Sequence, residues 1–246
     1  GGVGKTSFSS LLAYVLVEQG HKVYAIDADP NATLAQALGL PAELANGITP
    51  IVEMADLIEE RTGARPGEYG KMFKINPRVD DIPERFSVAH RGVRLLQMGT
   101  VRGAGAGCAC PENSMLKMLI THLLLREKET VILDMVAGLE HLGRGTAGAV
   151  DAMFAVVEPG MRSVQTVHAI HKLAQDLGIA KFWVVGNKVR HERDAAFIRA
   201  SLDGLSIVGM LPYSDQAIEA DIQNKALIDV APEMAQAVRE IVAAVL

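Results

Sequence analysis

The sequence predicts an α/β protein with a doubly wound, mostly parallel sheet flanked by helices. Two observations predict this fold class. Hydrophobic residues make up 49% of the chain and aromatic residues only 4%, so the core is expected to consist of aliphatic strands and the helices that cover them. Short apolar runs also alternate with stretches of helical periodicity, which is typical of strand–helix–strand units in a parallel sheet.

The individual elements follow from apolar periodicity and from residues that end helices. Residues 6–19 carry apolar side chains at helical spacing and stop before Gly20, a residue that favours a helix C-terminus. Residues 22–27 form a short apolar run that ends in a carboxylate, as a buried strand does when its carboxyl end carries function. Four more strands are predicted at residues 130–134, 152–157, 181–186 and 206–211, and two helices at residues 163–177 and 194–202.

The pattern is weakest between Asn31 and Val101. There we predict a helix over residues 51–61 and a hairpin through residues 86–97, separated by a loop rich in glycine, proline and charge. No linker and no change in composition divides the chain, so we expect one domain over residues 1–246.

Charged residues are balanced and dispersed. The 24 basic and 29 acidic residues give a net charge of −5, and the basic residues form no run, which argues against a nucleic-acid partner. No apolar run reaches the roughly 18 residues that a membrane-spanning helix needs. Because the chain begins with glycines and not with a signal peptide, we expect a cytoplasmic protein without a membrane partner.

The first six residues, GGVGKT, have the composition of a phosphate-binding loop. Glycines let backbone N–H groups turn towards phosphates, the lysine reaches the β- and γ-phosphates, and the threonine hydroxyl binds Mg²⁺. The helix that follows points the positive end of its dipole at the phosphates. The predicted phosphate-binding residues are Gly1, Gly2, Val3, Gly4, Lys5, Thr6 and Ser7, with Lys5 also assigned to catalysis.

This glycine-rich run resembles the end of the deviant Walker A motif of the MinD, nitrogenase iron protein and ArsA class of ATPases. The resemblance implies a P-loop nucleotide hydrolase that dimerises, with an additional lysine upstream of Gly1 that reaches the nucleotide of the partner subunit. A native chain begins with Met, and a phosphate loop normally follows a buried strand. We therefore expect the chain to be N-terminally truncated and to lack the first strand.

Two predicted strands end in carboxylates on the side of the sheet where the phosphates should lie. The sequence DADP closes the strand at residues 22–27, and the resemblance implies that Asp29 acts on the attacking water and contributes to the Mg²⁺ site. For Asp27, a structural role and a role linked to Mg²⁺ both stay open. Asp134 ends an apolar run in the manner of a Walker B residue, and we predict that it holds Mg²⁺ together with Thr6.

The sequence NKVR at residues 187–190 ends a later strand and resembles the base-recognition motif of GTPases. The N1–H and amino group of guanine require a carboxylate acceptor at the fourth position, whereas Arg190 can only donate. The motif therefore favours ATP, with Asn187 as a contact to adenine. Leu211, Pro212 and Tyr213 match the loop that flanks the base in the deviant Walker A class.

Cys108 and Cys110 are the two cysteines of the chain and lie in a glycine-rich loop. A disulfide across one intervening residue is strained, and cytosolic conditions oppose it. Three interpretations of the pair are left: metal binding, thiol chemistry, or two reduced thiols without a function. Two thiolates fill half of a tetrahedral site, and a twofold axis beside the loop would bring two more from a partner subunit. We predict a four-cysteine metal site at a dimer interface.

The phosphate loop, the Asp-Pro switch and the CxC pair together resemble the CooC-type ATPases, which mature the nickel-containing active site of carbon monoxide dehydrogenase. The likeness extends to residues 48–50, 134–135, 137–138, 140–141, 144–147, 156–159 and 187–189. It implies a homodimer that uses ATP and Mg²⁺ and binds Ni²⁺ or Zn²⁺ through Cys108 and Cys110. The client would be carbon monoxide dehydrogenase, acetyl-CoA synthase or a related nickel enzyme.

Other functions stay open. The protein could be a nucleotide-regulated metal store or sensor without productive turnover, or a partition or division-site ATPase like ParA or MinD. A redox role like that of the nitrogenase iron protein is disfavoured, because that family takes its cysteines from separate loops. His168 and His171 could chelate a metal from one helix, although an exposed helix face is the simpler interpretation.

Overall fold

The computed structural model describes residues 2–68, 71–99, 110–124, 129–136 and 150–245. The strands within these ranges are β1 (Val23–Asp27), β2 (Val88–His90), β3 (Val93–Gln97), β4 (Thr130–Asp134), β5 (Met153–Val157), β6 (Phe182–Val189) and β7 (Ser206–Pro212). The helices are α1 (Lys5–Glu18), α2 (Leu34–Ala37), α3 (Ala42–Asn46), α4 (Ala55–Thr62), α5 (Ile82–Phe86), α6 (Pro111–Leu124), α7 (Met161–Leu177), α8 (Glu192–Ser201), α9 (Asp215–Ile222), α10 (Leu227–Val230) and α11 (Pro232–Val245). The alternation of strands and helices confirms the predicted fold class.

The strands form two hydrogen-bonded groups that are almost entirely parallel. One group has the order β2-β3-β1-β4 and the other the order β5-β6-β7. Only β2 runs antiparallel to its neighbour in the described ladders. Helix α1 contacts strands of both groups, and the Phe8 ring lies 5.2 Å from the ring of Phe154 on β5. The helix that follows the phosphate loop therefore packs across both parts of the sheet.

Helices cover both faces of the sheet, as the doubly wound prediction requires. Along β1 the side chains alternate: Val23 and Ala25 pack with α1 and α11, whereas Tyr24 and Ile26 pack with α4 and α6. All five residues of β1 are buried, because a parallel strand between two helical layers has no solvent-facing side. The strand is thus a rigid support for the carboxylate at its end.

The region predicted with least support contains one confirmed element and one correction. The hairpin is confirmed as β2 and β3, joined by Arg91 and Gly92, which both have positive φ values of 48° and 85°. A two-residue turn with positive φ at both positions has a twist that matches the twist of the two strands it joins. The helix predicted over residues 51–61 is interrupted: Ile51–Glu53 is a 3-10 turn, and α4 begins after Met54, whose ψ of 69° is not helical.

A partly buried ion pair connects two helices of this region. Arg61 on α4, with a side chain only 11% exposed, donates to Asp81 over 2.8 Å, and Arg85 on α5 donates to the same carboxylate over 2.9 Å. The hydrogen bond from Arg61 and that from Arg85 hold the pKa of Asp81 well below its usual range. Asp81 thereby connects α4 to α5.

Among the helices that the structure describes, none combines the length and the hydrophobicity that a bilayer crossing requires.

Candidate nucleotide site

The phosphate loop has the backbone shape that anion binding needs. Gly2 and Gly4 have φ values of 83° and 93°, in the left-handed region, and α1 begins at the next residue, Lys5. Alternation between left- and right-handed residues turns successive N–H groups towards one side and forms a cradle for an anion. Lys5, Thr6 and Ser7 are half-buried in the first turn of the helix. Gly1 lies outside the described residues.

Asn187 at the carboxyl end of β6 contacts the phosphate loop directly. Its side chain is 4% exposed, and its Nδ2 donates to the carbonyl oxygen of Val3 over 2.8 Å. A Cβ at Gly4 would overlap this amide group. Asn187 therefore holds one carbonyl of the loop in place, while its predicted contact to adenine stays a prediction.

The carboxylates at the ends of β1 and β4 lie side by side, because these parallel strands pair Asp27 with Asp134. Asp27 is fully buried and accepts hydrogen bonds from the backbone N–H groups of Asp29 and Leu34, over 3.1 and 2.9 Å. Burial raises the pKa of Asp27 to about 6, and the charges of Asp134 and Asp29 act in the same direction. The two backbone hydrogen bonds favour a structural role, in which Asp27 shapes the turn that carries Asp29.

Asp134 is surrounded by residues of the first turns of α1. Ser9 donates its hydroxyl to Asp134 over 3.1 Å. Burial raises the pKa of Asp134, while hydrogen bonds from Thr6 and Ser9 and the charge of Lys5 oppose that shift. The predicted partners Thr6 and Asp134 are therefore together in the structure.

Asp29 lies close enough to influence both buried carboxylates. Its charge raises the pKa of Asp27 and of Asp134. One of its oxygens, Oδ1, accepts the N–H of Asn31 over 2.8 Å, and the side chain is half-buried. A carboxylate in this position can orient a water molecule with its second oxygen.

The arrangement fits Mg²⁺. Within the described residues, no group of three or more His, Cys, Asp or Glu side chains is placed to bind a metal ion by itself. Mg²⁺ does not require such a group, because it keeps several waters and takes phosphate oxygens together with one or two carboxylates. The hydroxyl of Thr6 and the carboxylate of Asp134 are oxygen donors of the required kind, and a cation would relieve the repulsion among the three carboxylates.

Of the residues predicted to flank the base, Leu211 and Pro212 end β7 and Tyr213 follows the strand. The N–H of Tyr213 donates to the carbonyl of Val189 over 2.9 Å, and the guanidinium of Arg190 lies 3.6 Å from the centre of the Tyr213 ring. Leu211 is fully buried in the core, so its side chain is not available to a base, whereas Pro212 and Tyr213 are half-exposed. Contacts of this loop to adenine stay predictions.

Comparison with known proteins agrees with this geometry. Residues 1–228 match the family described as the CobQ/CobB/MinD/ParA nucleotide binding domain. The chain belongs to this family. It is 45% identical to the carbon monoxide dehydrogenase accessory protein CooC of Rhodospirillum rubrum over 100% of this chain and 93% of that protein. It is 44% identical to an uncharacterized ATP-binding protein of Methanocaldococcus jannaschii over 92% of this chain and 87% of that protein.

Solved structures support the fold of the CobQ/CobB/MinD/ParA family for this chain. The MinC:MinD cell division protein complex of Aquifex aeolicus contains a chain that superposes with a TM-score of 0.70 at 18% identity, covering 99% of this chain and 90% of that one. At such an identity the likeness concerns the fold. The predicted resemblance to the CooC-type proteins is confirmed by the more similar relative from Rhodospirillum rubrum.

Of the predicted metal-binding pair, only Cys110 falls within the described residues. It is half-buried just before α6, and its carbonyl accepts the N–H of Ser114 over 3.1 Å. Cys108 lies outside the described residues, as does the segment 137–149. The CxC metal site thus stays a prediction. His168 and His171 have other contacts: His168 Nε2 lies 3.3 Å from the Ser201 carbonyl, and the His171 ring packs at a tilt against the ring of Phe182.

Sequence reasoning missed three residues that contact the nucleotide site of this family member. Ser9 donates its hydroxyl to Asp134, and its position three residues after Thr6 on α1 was the available signal. Lys188 donates to the carbonyl of Gly2 and pairs with Glu158. These two residues stood in the compared motifs, but only the tertiary structure brings them to the phosphate loop.

Replacing Gly4 with Ala should weaken ADP binding at least about 10-fold, because an added Cβ both strains a left-handed backbone and displaces the Asn187 amide. The matched control is Gly20→Ala. Gly20 has a similar φ of 87°, but apart from Gly20 and its chain neighbours no described atom lies within 4 Å of the position of its Cβ. We expect Gly20→Ala to lower thermal stability while leaving the Kd for ADP, measured by calorimetry, unchanged. Equal Kd values for both variants would contradict the contact with Asn187.

Proposed function

We propose that this protein is an ATP-hydrolysing metallochaperone, which dimerises with ATP and inserts nickel into the active-site cluster of carbon monoxide dehydrogenase or a related nickel enzyme such as acetyl-CoA synthase. The observation that carries the proposal is the 45% identity to the accessory protein CooC over the whole chain. The CxC pair at Cys108 and Cys110 gives such a role a metal-binding group. The protein would act in the cytoplasm, without nucleic acid or membrane as a partner.

The proposed hydrolysis uses residues that lie together at the carboxyl ends of β1 and β4. The N–H groups of Gly2 to Ser7 and the Nζ of Lys5 bind the phosphates, and Lys5 stabilises the charge that develops on the transferred group. Thr6 and Asp134 would hold Mg²⁺, which would neutralise phosphate charge when bound. Asp29 orients the attacking water and accepts its proton. Asn187, Pro212 and Tyr213 flank the adenine.

The cargo site requires two subunits in this proposal. One CxC pair supplies two thiolates, so a tetrahedral site for Ni²⁺ or Zn²⁺ needs the pair of the partner subunit as well. ATP closes the dimer and brings the pairs together, and hydrolysis reopens it for delivery. Metal affinity and nucleotide state are then coupled, and by linkage each must alter the binding of the other.

Delivery can be tested with apo carbon monoxide dehydrogenase that contains its iron–sulfur cluster but lacks nickel. The full-length protein is loaded with Ni²⁺ and mixed with the apo enzyme in the presence of ATP, ADP or a non-hydrolysable ATP analogue. We expect carbon monoxide oxidation to appear with ATP and Mg²⁺ only, and the nickel content of the client to rise in parallel. Equal activation with the analogue would show that turnover is not needed and would favour a metal store.

A further inference from the structure

The carboxyl end of β6 approaches the phosphate loop at an irregular point of the sheet. The pairing of β6 with β7 shifts register between Gly186 and Val189. Within this shift Lys188 has a φ of 58°, in the left-handed region that non-glycine residues rarely adopt. Register shifts of this kind change the direction of side chains. The backbone of Lys188 is therefore held in an unfavourable conformation at a position close to the phosphate loop.

The Lys188 side chain makes two short polar contacts there. Its Nζ donates to the carbonyl oxygen of Gly2 over 2.6 Å and to Oε2 of Glu158 over 2.7 Å. A charged donor to a backbone carbonyl contributes more than a neutral one. The Gly2 carbonyl and the Val3 carbonyl, which binds Asn187, are acceptors of the same loop whose N–H groups must face the phosphates.

Glu158 is itself positioned by the sheet and by α7. Parallel pairing of Val157 with Gly186 brings Glu158, the first residue after β5, alongside the carboxyl-terminal part of β6. The N–H of Glu158 donates to the hydroxyl of Ser163 over 3.1 Å, which fixes the turn between β5 and α7. Both partners of the ion pair are about 40% exposed, with side-chain values of 42% and 36%, so the pair by itself would stabilise the fold very little. Stabilisation of the fold therefore does not explain why Lys188 also contacts the Gly2 carbonyl.

We propose that Lys188 and Glu158 are positioning residues that act as a unit on the phosphate loop. Glu158 holds the Lys188 ammonium, and Lys188 holds the Gly2 carbonyl outward, so that the N–H groups of the loop face the phosphates before nucleotide binds. Preorganisation of this kind raises affinity by removing the ordering cost from the binding step. The inference rests on the nucleotide binding that the proposed function requires, and it is independent of metal delivery.

Nucleotide affinity of the full-length protein tests the inference. In Lys188→Met, which keeps the side-chain length without charge, we expect the Kd for ADP and the KM for ATP to rise about 10-fold, with kcat at saturating ATP nearly unchanged. Glu158→Gln should raise the Kd for ADP and the KM for ATP by a smaller factor. The double variant should have the same two values as Lys188→Met alone, because the effects of substitutions in residues that act as a unit are not additive. The matched control is Lys181→Met, at the opposite end of the same strand, which should leave both values unchanged.

Three outcomes would overturn the inference. Unchanged ADP affinity in Lys188→Met would show that the Gly2 contact is unimportant. Tighter ADP binding by Glu158→Gln would show that Lys188, once released, binds nucleotide itself. Additive losses in the double variant would show two independent effects. Amide hydrogen exchange of residues 3–6 without nucleotide separates positioning from loss of fold: it should speed up in Lys188→Met, while exchange in β1 stays as in the wild type.

Failure of this inference and failure of the proposed function give different results. A wild-type protein that binds ADP but does not activate the nickel enzyme refutes metal delivery and leaves the role of Lys188 to the affinity measurements. A protein that delivers nickel with unaltered ADP affinity in Lys188→Met refutes the positioning role alone. A wild-type protein that binds neither ADP nor ATP refutes both.

Discussion

Asp29→Asn should reduce the kcat for ATP hydrolysis by about 100-fold or more, the usual contribution of a positioned general base. The substitution is close to isosteric. Oδ1 of Asp29 accepts the N–H of Asn31, and the amide oxygen of asparagine can accept the same hydrogen bond, so the turn after β1 is expected to persist. The amide cannot accept a proton from water at this position.

Nucleotide binding should survive in Asp29→Asn. The described hydrogen bond of the Asp29 side chain goes to Asn31 and not to the phosphate loop. Removal of the Asp29 charge also reduces the repulsion on Asp27 and Asp134, which adds to burial in raising the pKa of both. Steady-state hydrolysis and calorimetric titration with ADP measure the two effects separately. Asp203→Asn, an exposed carboxylate in the turn after α8, is the control for loss of one negative charge and should retain full activity.

The same variant separates the two metal-related functions. A metallochaperone driven by hydrolysis predicts that Asp29→Asn binds nickel but does not activate apo carbon monoxide dehydrogenase. A metal store or sensor without turnover predicts undiminished loading of the client. Hydrolysis at the wild-type rate in Asp29→Asn would show that Asp29 does not act on the attacking water and that another group of the site must do so.

Replacing both Cys108 and Cys110 with Ser should abolish stoichiometric nickel binding by the dimer. A serine hydroxyl is a far poorer ligand for Ni²⁺ or Zn²⁺ than a thiolate, so the bound metal should fall from about one ion per dimer to background. The measurement is the metal content of anaerobically reduced protein, after gel filtration with ATP and Mg²⁺. Because both residues precede α6 and lie away from the phosphate loop in sequence, ADP affinity should not change.

A histidine variant provides the control for adventitious nickel. His168 and His171 are three residues apart on α7, a spacing that can bind metal, but in the structure they contact Ser201 and Phe182. We expect His168→Ala/His171→Ala to keep nickel at the wild-type stoichiometry. Stoichiometric nickel on the double serine variant would refute the four-cysteine site, and its loss on the histidine variant would place the metal on α7.

Local sequence patterns were sufficient to predict the helix and the strands that position the phosphate loop and the carboxylates at the strand ends. The bounds of β4 agree with the prediction, and those of α1 and β1 agree within one residue at each end. These elements are predictable because a continuous apolar run and a flanking glycine act within a few residues of chain. The hairpin of β2 and β3 was predictable for the same reason. The break at Met54 was not, since the apolar spacing continues through it.

Sequence by itself determined which chemical groups the protein carries: a glycine-rich phosphate loop, carboxylates at two strand ends, an arginine where a guanine site would need a carboxylate, and a CxC pair. Only the tertiary structure decided which of these groups meet. The strand order β2-β3-β1-β4 places Asp27 against Asp134, and the contact of Asn187 with Val3 joins residues 184 positions apart. Such contacts depend on how strands pair and on where the ladder is irregular. Both are set by packing between distant segments, which no local pattern encodes.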